Sequence, residues 1–232
     1  MANPRVKRVV LTSSGAAISG GGDIATHTEE DKNTTSNLSF GAYAYSKTMA
    51  ERAAWDFVAA KSPGFKLVVV NPYLVIGPCH GPALNQSHIT LTEILKGRLP
   101  GVMALHFIMV DVRDVAATHI AAMRIAGATG RHICAAETVS MRQIVGVMAD
   151  LGYRKLPKLS LDNWVENLIG WLASYAQPKE IGRYLRGSLG NNSQADDRKS
   201  REKLGITYRP ASESIRDAVA DLAKWGHVGP PG

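Results

Sequence analysis

Residues 6–12 have the sequence Val-Lys-Arg-Val-Val-Leu-Thr and continue into Ser13-Ser14-Gly15. A β-branched, mostly apolar run that ends in small polar residues is typical of a buried strand followed by a loop. After a polar stretch, residues 42–60 contain good helix formers with neither Gly nor Pro, and residues 66–70 are again strand-like. Strand, loop, helix, strand is the order of a parallel crossover, so the sequence predicts an α/β sheet covered by helices.

The pattern recurs less regularly further along the chain. Residues 107–112 predict a short strand, Asp114 is placed to cap a helix over 115–125, and residues 131–135 predict another strand. Ser140 and Gln143 have the spacing of a capping box at the start of the next helix. From about residue 156 onward the chain has a helical and loop-rich character. This change predicts a smaller, mainly helical lobe beside the sheet.

Charge and cysteine content exclude several classes of protein. The 232 residues carry a net charge of +7, which favours acidic ligands such as nucleotide phosphates. Acids and bases are mixed between residues 179 and 203, which indicates a solvated face and no nucleic-acid partner. Cys79 and Cys134 are too few for a disulfide framework, and no apolar stretch is long enough to span a membrane. We therefore expect a cytoplasmic protein without a membrane partner, in which neither cysteine has a special role.

Three residues have the chemistry needed for proton transfer to a carbonyl group. Tyr43 and Lys47 are four residues apart on the predicted helix, so both lie on one face, where a cation favours the phenolate. Ser14 follows the first strand at its carboxyl end, where open α/β sheets bind ligands. Alone, the helical pair is also typical of a surface tyrosine beside a solvated lysine, and Ser14 of a turn or cap. Together and in this order, the three residues favour a catalytic site.

A family resemblance supports this interpretation. It rests on Ser13-Ser14-Gly after the first strand, Tyr43-Ala-Tyr-Ser-Lys47-Thr-Met-Ala-Glu-Arg-Ala-Ala-Trp, and Asn71-Pro72-Tyr-Leu-Val-Ile-Gly-Pro, and it continues through residues 107–119 and 196–205. In these stretches the chain resembles the extended short-chain dehydrogenases/reductases of the NAD-dependent epimerase/dehydratase superfamily, and among them dihydroflavonol 4-reductase and cinnamoyl-CoA reductase. The ordered combination is more specific than any single motif.

The resemblance implies a fold and a domain division. The fold is α/β, the C-terminal part of a Rossmann-like doubly wound parallel sheet with a small, mainly helical substrate lobe. Residues 1–136 would be the catalytic remainder of the Rossmann domain, with 79–106 contributing to the substrate lobe. Residues 137–232 would form the substrate-binding lobe itself.

The resemblance also implies the roles of the three chemical residues. Ser14 and Tyr43 would polarise the substrate carbonyl oxygen, Tyr43 would donate the proton, and Lys47 would bind the nicotinamide ribose. Ser13 is the alternative for the serine. The implied activity is NADPH-dependent reduction of a ketone or aldehyde on a small organic substrate. Epimerase, dehydratase or hydroxysteroid dehydrogenase chemistry of the same superfamily stays an alternative, as does a non-catalytic remnant with a binding or regulatory role.

Further cofactor contacts are expected beside Tyr43 and Lys47. In the family, main chain around the Asn-Pro segment contacts the nicotinamide; this segment maps to Pro72, Tyr73 and Leu74, and Ser87 lies where another contact is expected. The implied cofactor is NADP(H), with NAD(H) as the alternative because the region that would bind the 2′-phosphate is absent from this sequence.

The Gly-rich pyrophosphate loop expected in this fold has no match in the sequence. Such reductases begin with a strand, a glycine turn and a helix that holds the pyrophosphate, whereas the run at residues 20–22 has the wrong spacing and is followed by no apolar helix. We therefore expect a chain truncated at its N-terminus, with a bare sheet edge and weak NADPH binding by itself. A completing N-terminal segment or a partner chain would restore both.

Other chemically suggestive residues have structural interpretations. We expect Asp111 and Asp114 to form caps and local hydrogen bonds at a strand-to-helix junction. Four histidines lack the i,i+4 pairing or the cysteine partners of a zinc site, so no metal site is expected: His80, His88, His106 and His119. Three aromatic residues are expected to pack within the small lobe: Trp164, Trp171 and Tyr175.

Overall fold

The computed structural model describes residues 5–20, 25–62, 64–99, 101–158, 160–161, 168, 171–172, 175 and 187–232. The prediction for Trp164 lies outside these residues. The chain separates into two compact units, which interleave along the sequence. The first unit comprises residues 1–73, 113–136 and 194–208, and the second comprises 74–112, 137–193 and 209–232. No helix among the described residues is both long enough and apolar enough to cross a membrane.

The described elements follow one another in an order that alternates strands and helices. In chain order they are β1 (Arg8–Thr12), a 3₁₀ turn (Gly15–Ala17), β2 (Thr26–His27), α1 (Ala42–Lys61), β3 (Lys66–Pro72), β4 (Leu74–Ile76), α2 (Gln86–Leu95), β5 (Val102–Met103), β6 (His106–Asp111), α3 (Val112–Arg124), β7 (Gly130–Cys134), β8 (Glu137–Ser140), α4 (Met141–Asp150), β9 (Ser160–Leu161), β10 (Gln194–Ala195), α5 (Arg198–Leu204) and α6 (Ala211–Lys224).

The first unit contains a parallel sheet with strand order β1-β3-β7. Val10 lies opposite Val68 on β3, and Val70 of β3 lies opposite His132 on β7. The centre of β3 is fully buried, as expected for a strand of consecutive apolar residues with neighbours on both sides. α1 connects β1 to β3, so the predicted α/β crossover is confirmed. β1 is an edge strand, because no other described strand pairs with its second side.

The second unit has its own mixed sheet and apolar core. β4 pairs with β6 in parallel, and β6 pairs with β8 antiparallel. The strand predicted at 107–112 is thus present as β6, but it lies in a different sheet from β1 and β3. Helices α2, α4 and α6 cover a core whose fully buried members include Leu91, Met109, Ile144 and Ile215. A further short pair joins β5 to β9.

Some local predictions are confirmed and others are wrong. Ser140 and Gln143 form the predicted capping box of α4. Asp114 is not a cap, because α3 begins at Val112 and places this buried side chain in its first turn. Asp111 ends β6 and accepts a hydrogen bond of 2.6 Å from the Ser214 hydroxyl. The helix therefore starts directly after the strand, without the loop residue that a side-chain cap needs.

The aromatic pair of the small lobe is not packed in a core. Trp171 and Tyr175 make an edge-to-face contact with ring centroids 5.1 Å apart, yet 40% and 62% of their surfaces are exposed. The expectation that they pack within the small lobe stays a prediction. The proposed substrate-binding role of residues 137–232, and the single division at residue 136, stay predictions beside the two contact-defined units.

Candidate active site

Three of the predicted site residues lie at the edge formed by the carboxyl ends of β1, β3 and β7. Ser14 follows β1 directly, and Pro72 is the last residue of β3. The next residue, Tyr73, donates its backbone N–H to the carbonyl of Cys134 at the end of β7, at 3.2 Å. Because all three strands are parallel, their carboxyl ends meet at one edge, where α/β sheets bind ligands.

Ser14 is held in place by hydrogen bonds on both sides of its Cα. Its hydroxyl accepts the N–H of Ala16 at 3.2 Å and so caps the 3₁₀ turn. Its carbonyl accepts a bond of 3.1 Å from the amide of Asn71, a fully buried residue near the end of β3. The structural role considered for this serine is therefore real, and it leaves the hydroxyl proton able to donate to another group.

Ser13 has a different environment from its neighbour. Its hydroxyl donates to Oε2 of Glu51 at 2.5 Å, and the Asn71 amide donates to the same oxygen at 2.9 Å. The other oxygen of Glu51 accepts from Trp55 Nε1 at 3.3 Å and from Arg131 Nε. Glu51 is 1% exposed, so a single buried carboxylate joins α1 to the ends of β1 and β3 and to the start of β7. Because the Ser13 hydroxyl donates its proton to Glu51, this alternative serine does not have that proton free for a substrate.

Glu51 is charged despite its burial. Burial by itself raises the pKa of this carboxyl group, but the hydrogen bonds from Ser13 and Asn71, and then the charge and hydrogen bond of Arg131, outweigh that effect. The pKa of Glu51 is therefore lowered from its usual value. The sequence analysis assigned no role to this residue. The available indication was its spacing, since Tyr43, Lys47, Glu51 and Trp55 follow one another at intervals of four along α1.

Tyr43 and Lys47 lie one helical turn apart at the start of α1. The Lys47 ammonium is 5.9 Å from the centre of the Tyr43 ring, and Tyr43 is 63% exposed. Across the described part of the chain, no hydrogen bond engages the Tyr43 hydroxyl or the Lys47 ammonium. α1 also packs against the 3₁₀ turn that Ser14 caps. The helix thus presents a phenol and a cation whose polar ends are open to a ligand.

Tyr73 is packed against the turn after Ser14. A Cβ atom placed on Gly15 would lie 2.7 Å from the Tyr73 ring, so the ring rests directly on the glycine backbone. The Tyr73 hydroxyl is 3.0 Å from the hydroxyl of Ser19. Burial raises the pKa of Tyr73 to about 12, which makes its phenol unsuited to proton transfer near neutral pH. The Tyr73 side chain therefore has a structural role. The contact predicted between its main chain and the nicotinamide is a separate question.

The remaining predicted cofactor residues belong to the second unit. Leu74 begins β4, and Ser87 is a buried residue in the first turn of α2. Pro72, in contrast, is buried at the end of β3 in the first unit. The roles predicted for these residues stay predictions.

A cavity of about 490 Å³ in the first unit does not include the predicted catalytic residues. Its walls carry side chains of both charges, and it borders the Glu51 network through Trp55 and Arg131. The pKa of Glu29 in this wall is raised, chiefly by burial. The lining residues are Ala17, Glu29, Glu30, Lys32, Thr48, Arg52, Trp55, Asp56, Gly130, Arg131 and Lys199. We place the candidate site at the strand ends, because Ser14 lies there and α1, which carries the open phenol and cation, packs against the turn that Ser14 caps.

One histidine has a cysteine partner that the sequence analysis did not find. In the second unit Cys79 Sγ lies 3.0 Å from Nε2 of His88, because the turn between β4 and α2 brings the two together. The statement that the histidines lack cysteine partners is therefore wrong for His88. Among the described residues, no group of three or more histidine, cysteine or acidic side chains is placed to hold a metal ion.

Comparison with known proteins identifies the family. The model of the NAD-dependent epimerase/dehydratase family matches residues 1–136, which is more than half of the chain. The chain belongs to this family. The resemblance to known proteins extends beyond the matched segment, over nearly the whole chain.

Two kinds of relative illustrate that resemblance. Cinnamoyl-CoA reductase 2 of Arabidopsis thaliana is 30% identical over 236 residues, a match that covers 98% of this chain and 63% of the relative. The structure of yeast methylglyoxal/isovaleraldehyde reductase Gre2 with NADPH superposes with a TM-score of 0.69 at 26% identity, covering 96% of this chain and 66% of the other. Gre2 of Candida albicans, also with NADPH, gives a TM-score of 0.69 at 30% identity over 95% and 65% of the two chains. The predicted Rossmann-like α/β fold is confirmed, and the chain spans just under two thirds of its relatives' length.

Proposed function

We propose that this chain carries the catalytic part of an NADPH-dependent carbonyl reductase that acts on a ketone or aldehyde of a small organic molecule. The observation that carries the proposal is the pair of open polar groups, Tyr43 and Lys47, on the helix that packs against the turn capped by Ser14. Relatives that are reductases, some crystallised with NADPH, support the same class of reaction.

Each residue would act through one polar atom. The Ser14 hydroxyl, while it accepts from Ala16, donates its own proton to the substrate carbonyl oxygen and holds it in place. The Tyr43 hydroxyl donates to the same oxygen and transfers its proton as the oxygen gains negative charge. The Lys47 ammonium, one turn along the helix, stabilises the phenolate that remains. Polarisation by two donors and proton transfer by one of them are the chain's own contributions to the reaction.

The residues at the strand ends fit the nicotinamide end of the cofactor. NADPH, when bound, supplies the hydride. The Lys47 ammonium, which has no hydrogen-bond partner among the described residues, would hold the nicotinamide ribose. Main chain at Pro72 and Tyr73 would contact the nicotinamide from the first unit. No Gly-rich turn for the pyrophosphate stands in the sequence, so this chain contributes one part of the cofactor site.

The test compares two tyrosines of the same helix. NADPH consumption is followed with a panel of small aldehydes, ketones and thioesters, and binding of NADPH is measured by calorimetry. We expect Tyr43→Phe to bind NADPH as the unchanged chain does and to lose at least about 10²-fold in turnover, the usual contribution of a general acid. The control is Tyr45→Phe, which should retain activity. Tyr45 lies on the same helix but outside the row of residues spaced by four that begins at Tyr43 and ends at Trp55.

Other outcomes would reject the proposal. Near-normal turnover by Tyr43→Phe rejects the proton-donor role. A chain that is folded but binds no NADP(H) rejects the reductase activity of this chain in favour of the binding or regulatory alternative. Turnover of a nucleotide sugar or a hydroxysteroid, with none of the carbonyl panel, assigns the epimerase, dehydratase or hydroxysteroid dehydrogenase chemistry of the same superfamily.

A further inference from the structure

We propose that Cys79 and His88 form a reactive thiol site in the second unit, at which hydrogen peroxide converts Cys79 to a sulfenic acid. Cys79, His88 and Asn85 have no role in the proposed reductase, although Ser87, a predicted cofactor contact, precedes His88 in α2, and the proposal does not depend on that activity. Its members converge on one cavity of about 240 Å³, which Cys79, Asn85 and His88 line together with His80. Cys79 is partly exposed to this cavity, whereas His88 is 5% exposed.

The contacts of the His88 ring fix where its protons lie. Oδ1 of Asn85, the N-cap of α2, accepts the backbone N–H of His88 at 2.9 Å and lies 2.7 Å from ring Nδ1. An amide oxygen can only accept, so Nδ1 carries a proton. The other ring nitrogen, Nε2, lies 3.1 Å from the carbonyl oxygen of Gly77 and 3.0 Å from Cys79 Sγ. A carbonyl oxygen also can only accept, so the contact with Gly77 is favourable when Nε2 carries a proton too.

A doubly protonated ring makes all of these contacts favourable at once. As an imidazolium, His88 donates from Nδ1 to Asn85 and shares its one Nε2 proton between the Gly77 carbonyl and a Cys79 thiolate. As a neutral ring it would accept from the thiol, but its Nε2 lone pair would then face the lone pairs of Gly77 O. The geometry therefore favours a thiolate paired with an imidazolium, the arrangement that makes cysteine nucleophilic.

Charged groups around Cys79 set the limits of its reactivity. Burial, and then the Asp221 carboxylate, raises the pKa of the Cys79 thiol, so its thiolate depends on the proton held by His88. His80 is the other titratable side chain in the cavity wall. Asp221 Oδ2 also accepts the backbone N–H of Cys79 at 2.7 Å. That N–H is therefore not free to stabilise an oxyanion, and the nearby carboxylate repels anionic reagents.

These constraints favour a small, neutral electrophile that needs no oxyanion hole. Hydrogen peroxide meets them. The Cys79 thiolate attacks one peroxide oxygen, the S–O bond forms as the O–O bond breaks, and the leaving hydroxide takes the Nε2 proton of His88 to become water. Sulfur is oxidised by two electrons and peroxide is reduced by two. The product is a neutral sulfenic acid beside a neutral imidazole, so the ion pair is lost.

The experiment measures the rate at which each cysteine is oxidised. The chain is treated with hydrogen peroxide at neutral pH, sulfenic acid is trapped with dimedone, and labelled peptides are quantified by mass spectrometry. We expect Cys79 to react at least about tenfold faster than in His88→Gln, which removes the ring that donates to sulfur. Cys134, fully buried and with a pKa raised to about 11 chiefly by burial, should stay unlabelled. His80→Gln, in the same cavity wall, is the matched control and should react as the unchanged chain does.

A second readout separates an ion pair from an ordinary accessible thiol. The rate at which iodoacetamide alkylates Cys79 should be nearly independent of pH wherever the ion pair exists. This pH range should extend well below about 8.5, the pKa of a free thiol. In His88→Gln the rate should rise with pH as the thiol ionises. Asn85→Ser keeps a side chain that can cap α2 but cannot reach Nδ1, so it carries the test if His88→Gln fails to fold. Equal rates in the unchanged chain and both variants, or a Cys79 no faster than glutathione, would overturn the proposal.

Discussion

Replacing Glu51 with glutamine tests whether one buried carboxylate fastens α1 to the sheet. Its two oxygens accept from Ser13, Asn71, Trp55 and Arg131, all of which are donors. Glutamine has the same shape but turns one oxygen into an NH₂ group. If the NH₂ group faces Trp55 and Arg131, both of these donors face another donor. If it faces Ser13 and Asn71, the Ser13 hydroxyl can turn and accept, and the Asn71 amide alone faces a donor. In either orientation the guanidinium loses its counter-charge.

The size of the effect follows from this count. Each lost hydrogen bond to a charged acceptor contributes about 1.5–3 kcal/mol, and breaking a buried ion pair by removing one partner costs about 3–5 kcal/mol. The Arg131 side chain is only 15% exposed, but it keeps its bonds to the carbonyls of Glu29 and Asp31, which limits the penalty. We expect Glu51→Gln to lower the free energy of unfolding by about 3–5 kcal/mol, a large share of the stability of an ordinary domain.

The assay is urea unfolding followed by far-UV circular dichroism at neutral pH. Glu30→Gln, an exposed acid of the same charge, is the control and should change the free energy of unfolding by no more than about 0.5 kcal/mol. Replacing Arg131 with methionine in the Glu51→Gln background should recover part of the loss, because no unpaired cation is then left. A loss below about 1 kcal/mol for Glu51→Gln would refute the anchoring role of the network.

The pH dependence gives the same prediction a second check. The pKa of Glu51 is lower in the folded chain than its usual value, so its contribution is complete above the ordinary glutamate pKa of about 4.3. The contribution is lost as pH falls through the lower, folded pKa. The stability difference between the unchanged chain and Glu51→Gln should therefore be constant near neutrality and shrink below about pH 4. A difference that does not change with acid would show that the carboxylate charge is not involved.

Two further predictions concern a buried histidine and a closely packed glycine. Burial, and then Lys199, lowers the pKa of His132 to about 4, so the unfolded chain binds a proton more readily, and stability should fall between about pH 6.5 and 4. His132→Leu should remove this loss of about 3 kcal/mol. The free energy of unfolding of the two chains should therefore differ by an amount that changes with pH over this range. A difference that is independent of pH would contradict the assignment. Gly15→Ala should cost about 1–3 kcal/mol by pushing on Tyr73, while Gly146→Ala, in an exposed turn of α4 with free space, should gain about 0.5–1 kcal/mol. Equal urea midpoints for the two alanine variants would contradict the packing at Gly15.

Local sequence patterns were sufficient for the crossover from β1 through α1 to β3. Each strand is a β-branched apolar run, and the helix between them lacks glycine and proline, so propensity and burial favour the same structure. The carboxyl-end position of Ser14 followed from that order alone. The strand partner of β6 could not be predicted in this way, because which strands pair depends on the path of the intervening chain and not on periodicity.

Contacts between distant residues account for what the sequence analysis missed. Acidic residues are seldom fully buried, and the partner that makes burial of Glu51 favourable, Arg131, lies 80 residues further along the chain. Cys79 and His88 are nine residues apart, a spacing that matches no helix or strand repeat, and the turn before α2 alone brings sulfur to nitrogen. In both cases the chemistry depends on a tertiary contact that leaves no periodic trace in the sequence.

The burial pattern of α1 connects the anchor with the proposed catalysis. Of its twenty residues, Glu51 is the buried one, so little apolar packing holds the helix in position. The position of Tyr43 and Lys47, two turns and one turn before Glu51, is therefore set largely by the hydrogen bonds that Glu51 makes to the strand ends. Ser13 takes part in that anchor, while its neighbour Ser14 is the residue proposed to contact the substrate. The end of β1 thus anchors α1 through Ser13 and carries the proposed donor Ser14 as the next residue. Because both residues belong to this strand end, the anchor would hold the distance between Ser14 and Tyr43 constant.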